Sequence, residues 1–223
     1  MERMFKQFTL DGVELKNRFV FPPIKLGYGN PDGTVTERQL RFYQQVAENG
    51  PAVLIVEPVS VTANGREHPK QPCVHLEKSE QELRKIADVV HGEDRLACLH
   101  LNHAGAAALP KIIGGPPKAP SVMTCVAREE NVSEPLTGEE IEDILTAYGA
   151  AAATARDAGF DLIEIQGGHG YLISQFLNAK LNQREDRFGE DRSLFAREAI
   201  SQVKKAAPEL PLILRISGNE MSP

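Results

Sequence analysis

Apolar strand-like runs and polar helical segments alternate along this chain. Five short β-branched runs, at residues 18–21, 52–57, 96–101, 160–166 and 212–216, are separated by polar segments with helical periodicity. Three of the intervening helices announce their starts. Thr36-Glu-Arg-Gln39, Ser79-Glu-Gln-Glu82 and Thr137-Gly-Glu-Glu140 each spell a capping box, in which a hydroxyl takes a free N–H and the residue three further on reaches back. Gly50, Gly92 and Gly159 follow the same three helices, where a left-handed residue costs least. A fourth helix is expected over residues 193–205, with Phe195, Ile200 and Val203 facing inward.

Strand–helix alternation with near-continuous apolar strands means a parallel sheet buried on both faces. An open doubly wound sheet usually carries a Gly-rich phosphate turn after its first strand. Here that strand runs into Phe21-Pro-Pro-Ile-Lys25, which is no phosphate cradle, so the closed barrel is the better fit. A (β/α)8 TIM barrel takes roughly 250 residues, about 31 per unit. The 223 residues show five strands, so about five of eight βα units are present and the C-terminal ones are lacking. The expectation is one α/β domain over residues 1–223, an incomplete barrel with an unpaired edge. A fragment, a homo-oligomer and a second chain supplying the missing units all stay open.

Composition excludes several classes. Lys and Arg total 25 against 31 Asp and Glu, a net charge of -6, which argues against a nucleic-acid surface needing clustered cations. The aliphatic runs are too short to span a bilayer, and the N-terminus lacks a secretion signal. Cys73, Cys98 and Cys125 are widely spaced, with no Cys-x-x-Cys pair for zinc or an iron–sulfur cluster. A cytoplasmic protein with reduced thiols, no resident metal, and neither nucleic acid nor membrane as partner is expected.

In parallel barrels the chemistry sits at the C-terminal strand ends. Those ends here carry Pro22, Pro23 and Lys25, then Glu57 and Pro58, then His100-Leu-Asn-His103, then Gln166-Gly-Gly-His169-Gly-Tyr171, and finally Arg215-Ile-Ser217. Two long loops rich in Pro and Gly, residues 59–78 and 104–135, would wall the same face. Period-two alternation puts Leu162, Glu164 and Gln166 on one face of the fourth strand, with Ile163 and Ile165 on the other. Gln166 therefore points inward, and the glycine-flanked His169 can turn toward the same space, followed by Tyr171. Two hydrogen-bond donors beside a phenol could polarise a carbonyl and protonate the adjacent carbon. A metal hydrolase built on His100, His103 and His169 is disfavoured, because the first two face opposite ways on an extended strand.

The stretch Gly167-Gly-His-Gly-Tyr-Leu-Ile-Ser-Gln-Phe-Leu177, followed by Asn182-Gln-Arg-Glu-Asp-Arg-Phe-Gly189, resembles the Old Yellow Enzyme family of FMN-dependent NAD(P)H:flavin oxidoreductases. Leu15-Lys-Asn-Arg18, Leu101-Asn-His-Ala-Gly105 and Arg215-Ile-Ser217 support it, and the 2,4-dienoyl-CoA reductase branch shares these motifs. The resemblance implies the N-terminal two-thirds of an FMN-binding barrel, reduced by NADH or NADPH, that reduces the C=C bond of a small α,β-unsaturated carbonyl or thioester. It assigns the proton donor to Tyr171 and the grip on the substrate oxygen to Gln166 and His169. Pro23, Ile24 and Lys25 would lie under the flavin ring, Pro58 would offer a backbone contact, and His100 and Arg215 would meet the pyrimidine edge. The sequence departs from the family pattern at Gln166 (usually His), His100 (usually Gln), Ala106 (usually Arg) and Lys25 (commonly Thr or Cys). Structural roles compete for several of these: Lys25 paired with Glu57, Arg215 with Glu164, His100 as a core histidine, and Asn182, Arg184, Asp186 and Arg187 as a loop-stiffening network. A remnant that holds no flavin and serves as an interaction subunit is the competing function.

Overall fold

A computed structural model describes residues 2–125 and 128–219. Five parallel strands, β1 (Val20–Phe21), β2 (Val53–Ile55), β3 (Leu96–Asn102), β4 (Leu162–Gly167) and β5 (Leu212–Ile216), form an open, curled sheet in the order β5-β4-β3-β2-β1. A two-residue strand, Val59–Ser60, extends the sheet alongside the end of β3. Four helices, α1 (Glu37–Glu48), α2 (Ser79–Gly92), α3 (Gly138–Asp157) and α4 (Leu194–Ala206), cover the outer face. This is the expected incomplete (β/α)8 barrel: among the described residues, four βα units and a fifth strand.

Each strand sorts its residues by alternation. Leu54, Leu99, Leu101, Ile163 and Ile165 point outward into a core shared with Tyr43, Ile86, Ile144 and Phe195 of the helices. Val53, Ile55, Cys98 and Leu162 point inward and meet Leu15 from an N-terminal hairpin, Phe8–Leu10 with Val13–Leu15, which plugs the bottom. The bottom of the interior is therefore apolar, and the polar inward residues His100, Glu164, Gln166 and Arg215 lie further along the same strands. Neither β1 nor β5 has an outer strand partner among the described residues, and Val20 and Ile216 are 46% and 61% exposed.

The helix ends correct three expectations. Thr137 and Glu140 make the reciprocal capping box, and Gly50 and Gly159 take the left-handed conformation. Ser79 is not a cap: it lies inside α2, whose N-cap is Lys78, and its hydroxyl donates to the Val74 carbonyl. Gly92 remains helical, and the left-handed residue is Asp94, at φ 57°. Thr36 accepts the Gln39 N–H at 3.2 Å, but the Gln39 side chain is drawn 2.6 Å onto Glu57 rather than back to the cap. Among the described residues no helix is long and apolar enough to cross a membrane.

Candidate active site

Parallel register sets Glu164 opposite His100 and Gln166 opposite Arg215. Glu164, almost fully buried, becomes a hub: one oxygen lies 2.7 Å from His100 Nδ1 and 2.8 Å from Arg215 Nε, and the other 3.0 Å from an Arg215 terminal nitrogen. Burial alone would raise this carboxyl. The His100 and Arg215 hydrogen bonds outweigh it and hold Glu164 below the usual carboxylate range. Burial pushes the His100 imidazole down despite that neighbour, so it is neutral and donates its Nδ1–H in a hydrogen bond to Glu164. Nε2 is left as a lone-pair acceptor, buried and without a partner among the described residues, as is the Asn102 amide at the end of the same strand.

Above this layer lies a cleft of about 700 Å³, whose walls include Lys25, Glu67, Arg128, His169, Tyr171 and Gln175. The β4 motif builds one wall. His169 sits at φ 59°, a left-handed conformation that turns its ring into the cleft. Gln166 is buried beneath it. Its Oε1 accepts the Gly168 N–H at 3.1 Å, and its Nε2 donates to His169 Nδ1 at 3.1 Å. A neutral imidazole accepting at Nδ1 carries its proton on Nε2, so Gln166 leaves His169 a donor toward the cleft. Tyr171 follows, and its hydroxyl lies 2.9 and 3.1 Å from the two oxygens of Glu67. Burial, then the Glu67 charge, push this phenol well above the ordinary tyrosine value.

The rest of the motif is scaffold. Gln175 clips the loops after β3 and β4 together, accepting the Ala106 N–H at 3.2 Å and donating to the Gly170 carbonyl at 2.7 Å. It packs so closely on Gly105 that a Cβ there would stand 2.2 Å from the Gln175 carbonyl oxygen. Asn182, fully buried, donates to the carbonyls of Phe176 and Phe188. Arg184 grips Asp186 and the carbonyls of Pro120 and Leu136, and Arg187 reaches Glu142 and Glu198. Phe176 stacks on Phe195 with ring centroids 4.2 Å apart, locking the motif onto α4. The loop-stiffening role expected for these residues is what the geometry shows.

The expected site residues thus separate into layers. Lys25, His169 and Tyr171 meet on the cleft, with Pro23 half-buried and Ile24 exposed just before Lys25. Gln166 lies under His169, His100 and Arg215 join through Glu164 in the ladder, and Pro58 is buried at the end of β2. Lys25 does not pair with Glu57. Its ammonium lies 2.5 Å from Glu67, because the Glu57 carboxylate is already taken by the Gln39 amide and the Tyr43 hydroxyl of α1. Glu67, only 3% exposed, is the residue that sequence reading missed. No local pattern marks it, since its partners come from the ends of β1 and β4.

The profile of the NADH:flavin oxidoreductase / NADH oxidase family matches residues 3–222. An NADPH dehydrogenase of Clostridium acetobutylicum is 36% identical over 98% of this chain and 65% of its own length. Among solved structures, an Old Yellow Enzyme from Pichia superposes with a TM-score of 0.89 at 30% identity, covering 96% of this chain and 59% of that one. The Old Yellow Enzyme homologue of Zymomonas mobilis gives 0.91 at 26% identity, over 97% and 63%. The parallel half-barrel, with its polar groups at the C-terminal strand ends, thus has the fold of the Old Yellow Enzyme flavin-oxidoreductase barrels on which it superposes. This chain belongs to the NADH:flavin oxidoreductase / NADH oxidase family. It spans 65% of the Clostridium dehydrogenase and 59% and 63% of the two Old Yellow Enzyme chains.

Proposed function

We propose that this chain carries the reacting face of an FMN-dependent, NAD(P)H-driven reductase of the C=C bond in α,β-unsaturated carbonyl or thioester compounds. One observation carries the proposal: Tyr171 and His169 stand on one wall of a cleft at the strand ends, with Lys25 on the same cleft. FMN, once bound, would supply the hydride that it takes from NADH or NADPH. His169 Nε2–H donates to the substrate's carbonyl oxygen, and Gln166 beneath holds the ring in that tautomer. Tyr171 supplies a proton to the α-carbon. The unpartnered His100 Nε2 is an acceptor beside the Arg215 guanidinium, a pair suited to the N–H and carbonyl edge of a flavin. Pro23, Ile24 and the stem of Lys25 would support the flavin ring, and Pro58 would offer its backbone carbonyl.

The test is flavin loading. The chain, incubated with FMN and dialysed, should stay yellow and bleach under NADPH without oxygen. Cyclohexenone should then restore the colour, and Tyr171→Phe should slow that second step on the order of 100-fold while leaving bleaching intact. A chain that takes up no FMN, or a Tyr171→Phe variant that reoxidises at the wild-type rate, overturns the proposal.

A further inference from the structure

The cleft holds a buried carboxylate that the reaction above does not use. Glu67 lies in the loop after β2 and is clamped through its backbone: its N–H donates to Gln71 Oε1 at 2.8 Å, and its carbonyl accepts from Arg128 at 3.2 Å. Its side chain touches two groups. Oε2 is 2.5 Å from Lys25 Nζ and 2.9 Å from the Tyr171 hydroxyl, and Oε1 is 3.1 Å from the same hydroxyl. A single oxygen atom therefore bridges an ammonium and the phenol expected to give up a proton. Glu67 is 3% exposed, whereas the Lys25 side chain is 43% exposed and open to solvent. A charge buried this deeply needs its partners, which is why the trio is held at hydrogen-bonding distance.

We propose that Glu67 is the positioning residue of Tyr171 and the conduit by which that tyrosine regains its proton from solvent through Lys25. The inference rests on the C=C reductase proposal for its purpose and on geometry for its form. The bidentate acceptor aims the hydroxyl hydrogen along the carboxylate until substrate binds, and it keeps the phenol protonated. After Tyr171 gives its proton to the α-carbon, a phenolate stands beside Glu67, a pairing of like charges that favours prompt reprotonation. The Lys25 ammonium passes a proton to Oε2, Oε2 passes it to the phenolate oxygen, and the Lys25 amine takes a proton from water. One proton leaves solvent and one reaches carbon per turnover, with no change of charge on the protein. Lys25 thus has work at the cleft wall beyond its ion pair with Glu67.

Titration of Tyr171 tests the first link without flavin. The full chain is labelled with carbon-13 at the tyrosine ring carbon bearing the hydroxyl, and the Tyr171 signal among the four tyrosines is assigned with Tyr171→Phe. Charged groups facing this hydroxyl are Glu67, Lys25 and Arg128, with the Cys125 thiol, Glu130 and His169 also on the cleft. In the wild-type chain the signal should stay in its protonated position a full pH unit past the ordinary midpoint of about 10, and Glu67→Gln should lower the midpoint by one unit or more. A wild-type midpoint at the ordinary value overturns the proposal and needs no variant to be folded. So does a Glu67→Gln midpoint that does not move. In the FMN-loaded chain, Glu67→Gln should lower kcat about tenfold with KM unchanged, and an unaltered kcat with an unaltered pH profile removes the relay. A chain that binds no flavin but shows the raised midpoint sinks the reductase proposal and leaves the Glu67–Tyr171 coupling standing. A flavin-loaded, active chain whose Tyr171 titrates ordinarily does the reverse.

Discussion

Glu57, 2% exposed at the end of β2, has no cationic partner among the described residues. It accepts from Gln39 at 2.6 Å, from the Tyr43 hydroxyl at 3.3 Å and from the Leu26 N–H at 3.4 Å. Burial outweighs these bonds and lifts its pKa from 4.5 to about 6. A carboxyl raised in the folded state binds its proton more tightly there than in the unfolded chain. Its contribution to stability is therefore complete below pH 4.5 and is lost as the pH rises through about 6. The gap of about 1.5 units, at about 1.4 kcal/mol per unit, makes that loss about 2 kcal/mol. Glu57→Gln removes the titration. Its carbonyl can still accept from Gln39, and the long bond to Leu26 costs about 1 kcal/mol when an amide hydrogen faces it. Urea unfolding of both proteins by circular dichroism, at pH 4.5 and pH 7, isolates the effect, because every other titrating group cancels in the difference. The variant's stability relative to wild type should rise by about 1.5 kcal/mol between the two pH values, since the unfolded carboxyl is already half ionised at pH 4.5. A difference that is the same at both pH values, or that falls, refutes the reasoning.

His103 titrates in the opposite sense. Burial lowers its pKa from 6.5 to about 3, with its ring held between the Gly105 N–H and Asn64, so stability is lost as the pH falls from 6.5 toward 3, by about 5 kcal/mol in all. His103→Gln should shift the acid-unfolding midpoint to lower pH, and an unmoved acid limb would count against that assignment. Glu164→Ala strands the Arg215 guanidinium and the buried His100, and should cost about 3 kcal/mol in denaturant unfolding. A loss under about 1 kcal/mol would mean the ladder relaxes and the hub is dispensable.

Much of this molecule was legible along the chain. Strand and helix order followed from period, and Leu162, Glu164 and Gln166 share an inward face because successive side chains alternate whatever surrounds them. The Thr137 box and the left-handed Gly50 and Gly159 followed for the same reason: their partners lie three or four residues away, at spacings set by covalent geometry. The same local rules misread Ser79 and the Gln39 side chain. In the fold, Ser79 found the Val74 carbonyl instead, and Gln39 found a buried carboxylate. Lys25 took Glu67, 42 residues away, rather than the Glu57 that sequence offered as an alternative partner. A buried charge takes whichever partner the converging loops bring within 3 Å, and that convergence depends on the packing of the whole sheet rather than on any interval of sequence. Sequence therefore settled which residues reach the strand ends, while tertiary structure alone decided which of them touch.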